Sequence, residues 1–305
     1  MTERIKGVLS PVVTPFKADY TPDTARFARQ CKWLLANDVG LAVFGTNSEA
    51  NSISVDERLA LLDGLVEAGV DPKRMMPGTG CSAITDSVRL TAHAVKLGAA
   101  GVLMLPPFYY KGVSDEGLFR NYAEIIERVA DPRLQIYLYH IPPVSQVSIT
   151  LKLIERLLKA YPKNVAGIKD SSGDWNNTKA VLDNFAKDGF DVFPGSETFL
   201  LAGLRNGGAG CISATANVNP AAISELYKKW QTPEADQLQA QLDAVRATFA
   251  KYPMIPALKQ AVAHWSGDAG WARLRPPLVE LTQEQTQGLL NDLEALRFDM
   301  PGLRN

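Results

Sequence analysis

Cysteine is scarce in this sequence: Cys31, Cys81 and Cys211 are its three, far apart and in no C-x-x-C pair. That spacing excludes a disulfide framework and a cysteine-built zinc site, and free thiols in a reducing cytoplasm are the simplest expectation. Histidine is as sparse. His93, His140 and His264 stand alone, with no H-E-x-x-H or similar spacing, so neither a metal nor another cofactor is expected. Long apolar runs are missing too. None approaches the ~18 residues of a membrane span, and the N-terminal MTERIKG carries charge where a secretory signal has its apolar stretch. No sign of charge dominates: 32 Lys and Arg face 33 Asp and Glu, for a formal net charge of -1. Without a basic block or an aromatic stacking platform, no nucleic-acid partner is expected. Walker A loops and G-x-S-x-G elbows do not occur.

What is present is an ordinary globular composition, 46% hydrophobic and 21% charged, in a chain of 305 residues. Short apolar runs alternate with longer amphipathic stretches as far as about residue 220. The runs that read as strands are Val8–Val13, Leu41–Phe44, Arg74–Pro77, Gly101–Leu105, Gln135–Tyr139, Val165–Lys169, Asp191–Phe193 and Cys211–Ser213. Between them the 3.6 period predicts helices over Thr24–Ala36, Val55–Ala68, Thr85–Leu97, Glu116–Val129, Leu151–Ala160 and Asn177–Ala186. Thr21-Pro22-Asp23 and Ser114-Asp115-Glu116 supply start signals, and Gly40, Gly69 and Gly98 follow helix ends. Eight strands, each returning through a helix, require parallel pairing. The fold class is therefore α/β, a (β/α)8 TIM barrel over residues 1–220. Residues 221–305 read as a C-terminal helical extension packed on it.

Gly78-Thr79-Gly80-Cys81-Ser82-Ala83 matches a dinucleotide-binding fingerprint between a strand and a helix. The reading fails on two counts. The next strand ends Met104-Leu105-Pro106-Pro107 without the acid that would hold a ribose, and a Rossmann fold uses its first strand, not its third.

Barrel enzymes place their chemistry at the C-terminal ends of the strands. Here those ends read Thr14-Pro15-Phe16, Gly45-Thr46-Asn47-Ser48-Glu49, Pro106-Pro107-Phe108-Tyr109-Tyr110, Tyr139-His140-Ile141-Pro142, Lys169-Asp170-Ser171 and Gly195-Ser196-Glu197. Lysine rarely closes a buried strand, because its ammonium resists leaving water. Alone, Lys169 reads as a surface cap. Grouped with phenols and hydroxyls, it suits Schiff-base attack on a carbonyl compound, with a tyrosine relaying protons.

These motifs resemble the dihydrodipicolinate synthase / N-acetylneuraminate lyase superfamily of class I aldolases. The resemblance covers essentially the whole chain through Gly45-Thr46-x-x-Glu49, PPFYYKGVSDEGL (106–118), YHIP (139–142), GIKDSSGD (167–174), PGSE (194–197) and GCISATANV (210–218). It implies a pyruvate-dependent aldolase or lyase, assembled as a homotetramer built from dimers and acting on a small 2-keto acid. Carried over by position, Lys169 forms the Schiff base and Tyr139 is the general acid/base. Thr46 relays protons towards Tyr110, which reaches in from a neighbouring subunit. Thr46 and Asn47 hold the pyruvate carboxylate, and Ile212 lines its pocket. Ser171, Gly195, Ser196 and Glu197 fall where the distal part of the substrate is bound. His140 either contacts the acceptor or hydrogen-bonds a loop.

Departures from the family pattern carry information as well. Asn47 and Ser48 replace Thr and Gly in the usual G-[ST]-T-G-E loop, so Ser48 is expected to bear the strain if a positive φ is needed there. Val144 stands where the synthase branch has an arginine for the carboxylate of aspartate semialdehyde, which points to the lyase branch. Thr198 and Ala214 replace polar groups used on sialic acid. The favoured substrate is thus a 2-keto-3-deoxy acid without an α-amino group. A hydratase-aldolase with an apolar acceptor pocket (Phe108, Val144, Ala214), the 4-hydroxy-tetrahydrodipicolinate synthase reaction, and an inactive pyruvate-binding regulator are the other readings.

Overall fold

A computed structural model describes residues 4–304. The described residues form two compact units, one of 7–70 with 213–304, the other of 71–212 with 4–6. The division expected at residue 220 follows the order of the sequence; these units follow contacts.

In the unit that begins at Gly7, β1 (Gly7–Ser10) pairs in parallel with β2 (Gly40–Leu41), placing Leu9 beside Gly40 and Ser10 beside Leu41. Helices Thr24–Ala36 and Val55–Glu67 follow the two strands. The first starts where the Asp23 carboxylate accepts the Arg26 N–H, the second at a Ser54/Glu57 capping box. The C-terminal part adds helices Pro220–Lys229, Ala235–Ala250, Met254–Ser266 and Gln283–Ala295.

The other unit carries β3 (Val102–Met104), β4 (Ile136–His140), β5 (Val165–Asp170) and β6 (Asp191–Pro194) as neighbours in one parallel sheet. Before β3, the segment 75–79 joins it through Leu103 N–H to Pro77 O (2.9 Å) and Thr79 N–H to Leu103 O (3.0 Å). After β6, β7 (Gly210–Ile212) is approached through Ala209 N–H to Val192 O at 3.0 Å. Helices Ile84–Leu97, Asp115–Val129, Leu151–Ala160, Trp175–Phe185 and Leu200–Arg205 separate the strands. Seven strands and the extended segment 75–79 alternate with helices along the chain, the α/β element order of a (β/α)8 barrel followed by a C-terminal helical extension. Every strand is buried along its whole length, as parallel strands covered on both faces must be.

Expected Gly101–Leu105 shortens to Val102–Met104, and three further expected strands are cut back or lost for a backbone reason. Val8–Val13 stops at Ser10 because Pro11 brings no N–H to the ladder. Leu41–Phe44 stops at Leu41, ahead of Phe44 with its φ of +62°. Arg74–Pro77 forms no regular strand, since Arg74 closes a 3-10 turn from Pro72 and Pro77 lacks an N–H.

Candidate active site

β4 and β5 run in a register that sets Tyr139 beside Lys169 and His140 beside Asp170. Neighbouring residues of a strand point to opposite faces, so these two pairs serve different sides of the sheet. Lys169 and Tyr139 are each only 2% exposed. The lysine Nζ passes 4.2 Å from the centroid of the Tyr139 ring and donates to its hydroxyl at 3.1 Å. Among the described residues Lys169 has no ion pair. An amine held dry beside a phenol, with no carboxylate to hold its proton, is equipped to attack a carbonyl carbon and exchange protons with its neighbour.

On the opposite face, Asp170 accepts from Thr178 Oγ1 (2.6 Å), Asn177 Nδ2 (2.9 Å) and the Ser172 N–H (2.9 Å). That network ties the end of β5 to helix Trp175–Phe185 and holds Lys169 in place from behind. His140 is buried, and its Nδ1 accepts the Ile149 N–H at 2.9 Å. Burial holds the imidazole below its ordinary pKa, opposed by the Asp170 charge. The neutral ring therefore pins the loop between β4 and helix Leu151–Ala160, which is the loop-binding role of its two expected ones.

The ends of β5 and β6 meet tightly. Ser171 N–H donates to His140 O at 2.7 Å, and Gly195 N–H to Asp170 O at 2.6 Å. A Cβ on Gly195 would lie 2.0 Å from Ser171 Oγ, so only glycine lets that hydroxyl sit where it does. Ser196 Oγ accepts the Thr198 N–H at 3.3 Å and shares a 2.9 Å bond with Thr198 Oγ1. Glu197 is buried, and Ile212 closes β7 fully out of solvent. Tyr110 stands apart from this group. It is 71% exposed, its ring edge-on to that of Tyr109, which is 74% exposed, with centroids 5.5 Å apart. Lys111 secures the aromatic loop by donating to Phe108 O and, at 2.8 Å, to Ser145 O.

Thr46 and Asn47 belong to the other unit and lie half-buried in a 3-10 turn, Thr46–Ser48. Ser48 keeps an ordinary backbone; its Oγ accepts the Gly45 N–H at 3.2 Å, and its carbonyl accepts from Thr14 Oγ1 at 2.8 Å. The left-handed residue is instead Glu49, at φ +57°, so the strain expected at Ser48 is moved one place on.

Glu49 leads to a group that the sequence reading missed. Its Oε1 accepts from Lys259 Nζ at 2.6 Å with both side chains fully buried, and its Oε2 accepts the Arg275 N–H at 3.1 Å. Burial pulls Lys259 below the ordinary lysine pKa and pushes Glu49 above the carboxylate range, while their mutual attraction opposes both shifts. Lys259 Nζ and Arg275 Cζ lie 4.6 and 4.8 Å from the Phe16 ring centroid. Arg275 also grips the Glu57 carboxylate, through NH1 to Oε2 at 2.8 Å and through NH2 to Oε1. A lysine inside the apolar PALKQAVA run was the available signal. Gly80 of the fingerprint-like segment has a packing role: a Cβ on it would lie 2.2 Å from Leu105 N.

Residues 4–296 match the Dihydrodipicolinate synthetase family. A curated relative, an uncharacterized DapA-like lyase of Chloroflexus aurantiacus, is 33% identical over 288 residues, covering 93% of this chain and 94% of its own. Among solved structures, dihydrodipicolinate synthase from Agrobacterium tumefaciens superposes with a TM-score of 0.89 at 31% identity, covering 96% of this chain and 99% of its own. YagE, a prophage protein of the dihydrodipicolinic acid synthase family from E. coli K12 solved in complex with pyruvate, superposes at 0.88 with 25% identity. It covers 96% of this chain and 99% of its own.

Proposed function

The chain belongs to the Dihydrodipicolinate synthetase family, and from that premise we propose that it is a Schiff-base-forming, pyruvate-dependent aldolase or lyase acting on a 2-keto-3-deoxy acid. The observation that carries the proposal is the buried Lys169 amine, 3.1 Å from the Tyr139 hydroxyl and without an ion pair among the described residues. The pyruvate that accompanies YagE supports the same reading.

In this mechanism the Nζ lone pair attacks C2 of the keto acid. The carbinolamine oxygen takes a proton and leaves as water, giving an iminium at Lys169. Tyr139, having given its own proton to that departing water, removes the proton of the C4 hydroxyl. The C3–C4 electron pair moves towards the iminium, releasing an aldehyde and leaving an enamine. Protonation at C3 and hydrolysis then free pyruvate and the amine. Family resemblance assigns the keto-acid carboxylate to Thr46 and Asn47, where charge-assisted bonds contribute about 1.5–3 kcal/mol each. It assigns the outer end of the proton relay to Tyr110 of a neighbouring copy. An exposed pair of adjacent tyrosines is consistent with a subunit contact in a homotetramer. No helix of the described residues is long and apolar enough to cross a membrane, and the cytoplasm is the proposed location.

Val144, 60% exposed on the short helix Pro142–Ser145 after β4, favours one second reading. An apolar side chain there, in place of a cation, suits a hydratase-aldolase releasing an aromatic aldehyde and disfavours the synthase reaction. A panel of 2-keto-3-deoxy acids and aryl 2-keto acids, followed by release of pyruvate, tests both. Pyruvate release from at least one is expected. Efficient condensation of pyruvate with aspartate semialdehyde overturns the use made of Val144. No turnover of any of these overturns the enzyme and leaves a pyruvate-binding regulator.

A further inference from the structure

Lys259 lies 210 residues from Glu49 in sequence and is its fully buried partner. The groups this pair meets, the Arg275 N–H and the Phe16 ring, belong to the same unit as the Thr46–Ser48 turn. A buried ion pair is a poor choice for stability, since apolar residues of the same volume serve as well or better. Its worth must lie in what it orients. Glu49 is the joint between two consecutive 3-10 turns, Thr46–Ser48 and Ala50–Ser52, and it holds a left-handed φ that a glycine would take without strain. A glycine there would leave the turn free to swing. With glutamate, the joint is locked on both carboxylate oxygens, by Lys259 Nζ and by the Arg275 N–H. The lock has its own backing: Lys259 rests against the Phe16 ring, and Phe16 is fully buried. The Thr14 hydroxyl bonds the Ser48 carbonyl and fixes the same turn at a second point.

We propose that Lys259 is a positioning residue which, through Glu49, aims the Thr46–Asn47 turn at the carboxylate of the 2-keto acid. This rests on the function proposed above and deepens it. Lys259 forms no bond to substrate; it sets the direction of the donors that do. Loss of the lock should therefore weaken keto-acid binding and leave the covalent step at Lys169 almost untouched.

The test measures the pyruvate concentration that gives half-maximal borohydride-trapped adduct at Lys169, together with KM and kcat for whichever keto acid the protein cleaves. Lys259→Met keeps the volume and removes the lock. The double variant Glu49→Gln/Lys259→Met does the same without stranding a buried carboxylate, and it serves if the single variant fails to fold. Val262→Ala, a buried position on the same helix, gauges simple destabilisation. Expected is a rise of at least tenfold in half-saturation and KM for both Lys259 variants. Maximal trapping and kcat should stay within about threefold, and Val262→Ala should lower Tm with KM unchanged. A folded double variant with the parent's half-saturation overturns the lock. Absence of any adduct in the parent protein overturns the Schiff-base reading beneath it, so the two failures are told apart.

Discussion

Two lysines of this chain lie out of water in apolar segments, Lys169 at the end of β5 and Lys259 in helix Met254–Ser266, and they differ in what they meet. Lys259 meets a carboxylate at 2.6 Å. Lys169 meets a phenol hydroxyl at 3.1 Å and no carboxylate among the described residues. A carboxylate engages an amine's protons and satisfies it, which builds structure. A phenol supplies no counter-charge, and a buried amine without one costs stability and is kept where reactivity is needed. Burial alone therefore does not mark a reactive lysine. Its partner does.

Replacing each lysine separates the two cases, and the largest effect belongs to Lys169. Lys169→Met should lower turnover by at least ~10³-fold, as removal of a nucleophile does, while Tm holds or rises because a costly buried amine is gone. A marked fall in Tm with retained turnover would make Lys169 the structural lysine and break the contrast. Next comes its partner. Tyr139→Phe keeps the ring and removes the proton relay, and a loss of about 10²–10⁴-fold in turnover is expected from general acid/base catalysis. Adduct should still form in this variant, more slowly than in the parent. Parent-like turnover would remove Tyr139 from the mechanism.

The smallest effect probes the other lysine's surroundings by pH. Arg275 holds the Glu57 carboxyl at about 2, below its ordinary value of 4.5. A group depressed on folding adds stability that is complete above its ordinary value and lost as pH falls towards the folded one. Glu57 should thus contribute about 1–2 kcal/mol after screening by solvent, present at neutral pH and fading between pH 4.5 and about 2. Glu57→Gln should flatten that part of the acid unfolding curve. An unchanged slope would mean that the Arg275 clamp is not formed in solution.

The sequence made some of this legible and hid the rest for identifiable reasons. Helices Thr24–Ala36 and Leu151–Ala160 were read to the residue, because Asp23 and Thr150 are side-chain caps and the apolar period is regular between ends. Strand ends were overrun at Pro11 and Phe44, where backbone geometry, not hydropathy, stops the ladder. Lys169 and Tyr139 could be matched because each closes an apolar run in the sequence, and the strands that hold those runs pair with each other. Lys259 announces itself by the same oddity, a lysine in an apolar run. Its partner lies 210 residues away on a different kind of element, and helical periodicity says nothing about such a pairing. His140 illustrates the converse: the motif places it beside Tyr139, but strand alternation turns it to the other face, where Ile149 takes its nitrogen.

Trapping the adduct tests the central claim directly. The protein is incubated with pyruvate and borohydride, digested, and the modified peptide mapped by mass spectrometry. A single reduced pyruvyl adduct on Lys169, with Lys259 unmodified, is the expected result. No adduct, or an adduct on another lysine with Lys169 intact, would contradict the assignment of Lys169 as the reactive amine.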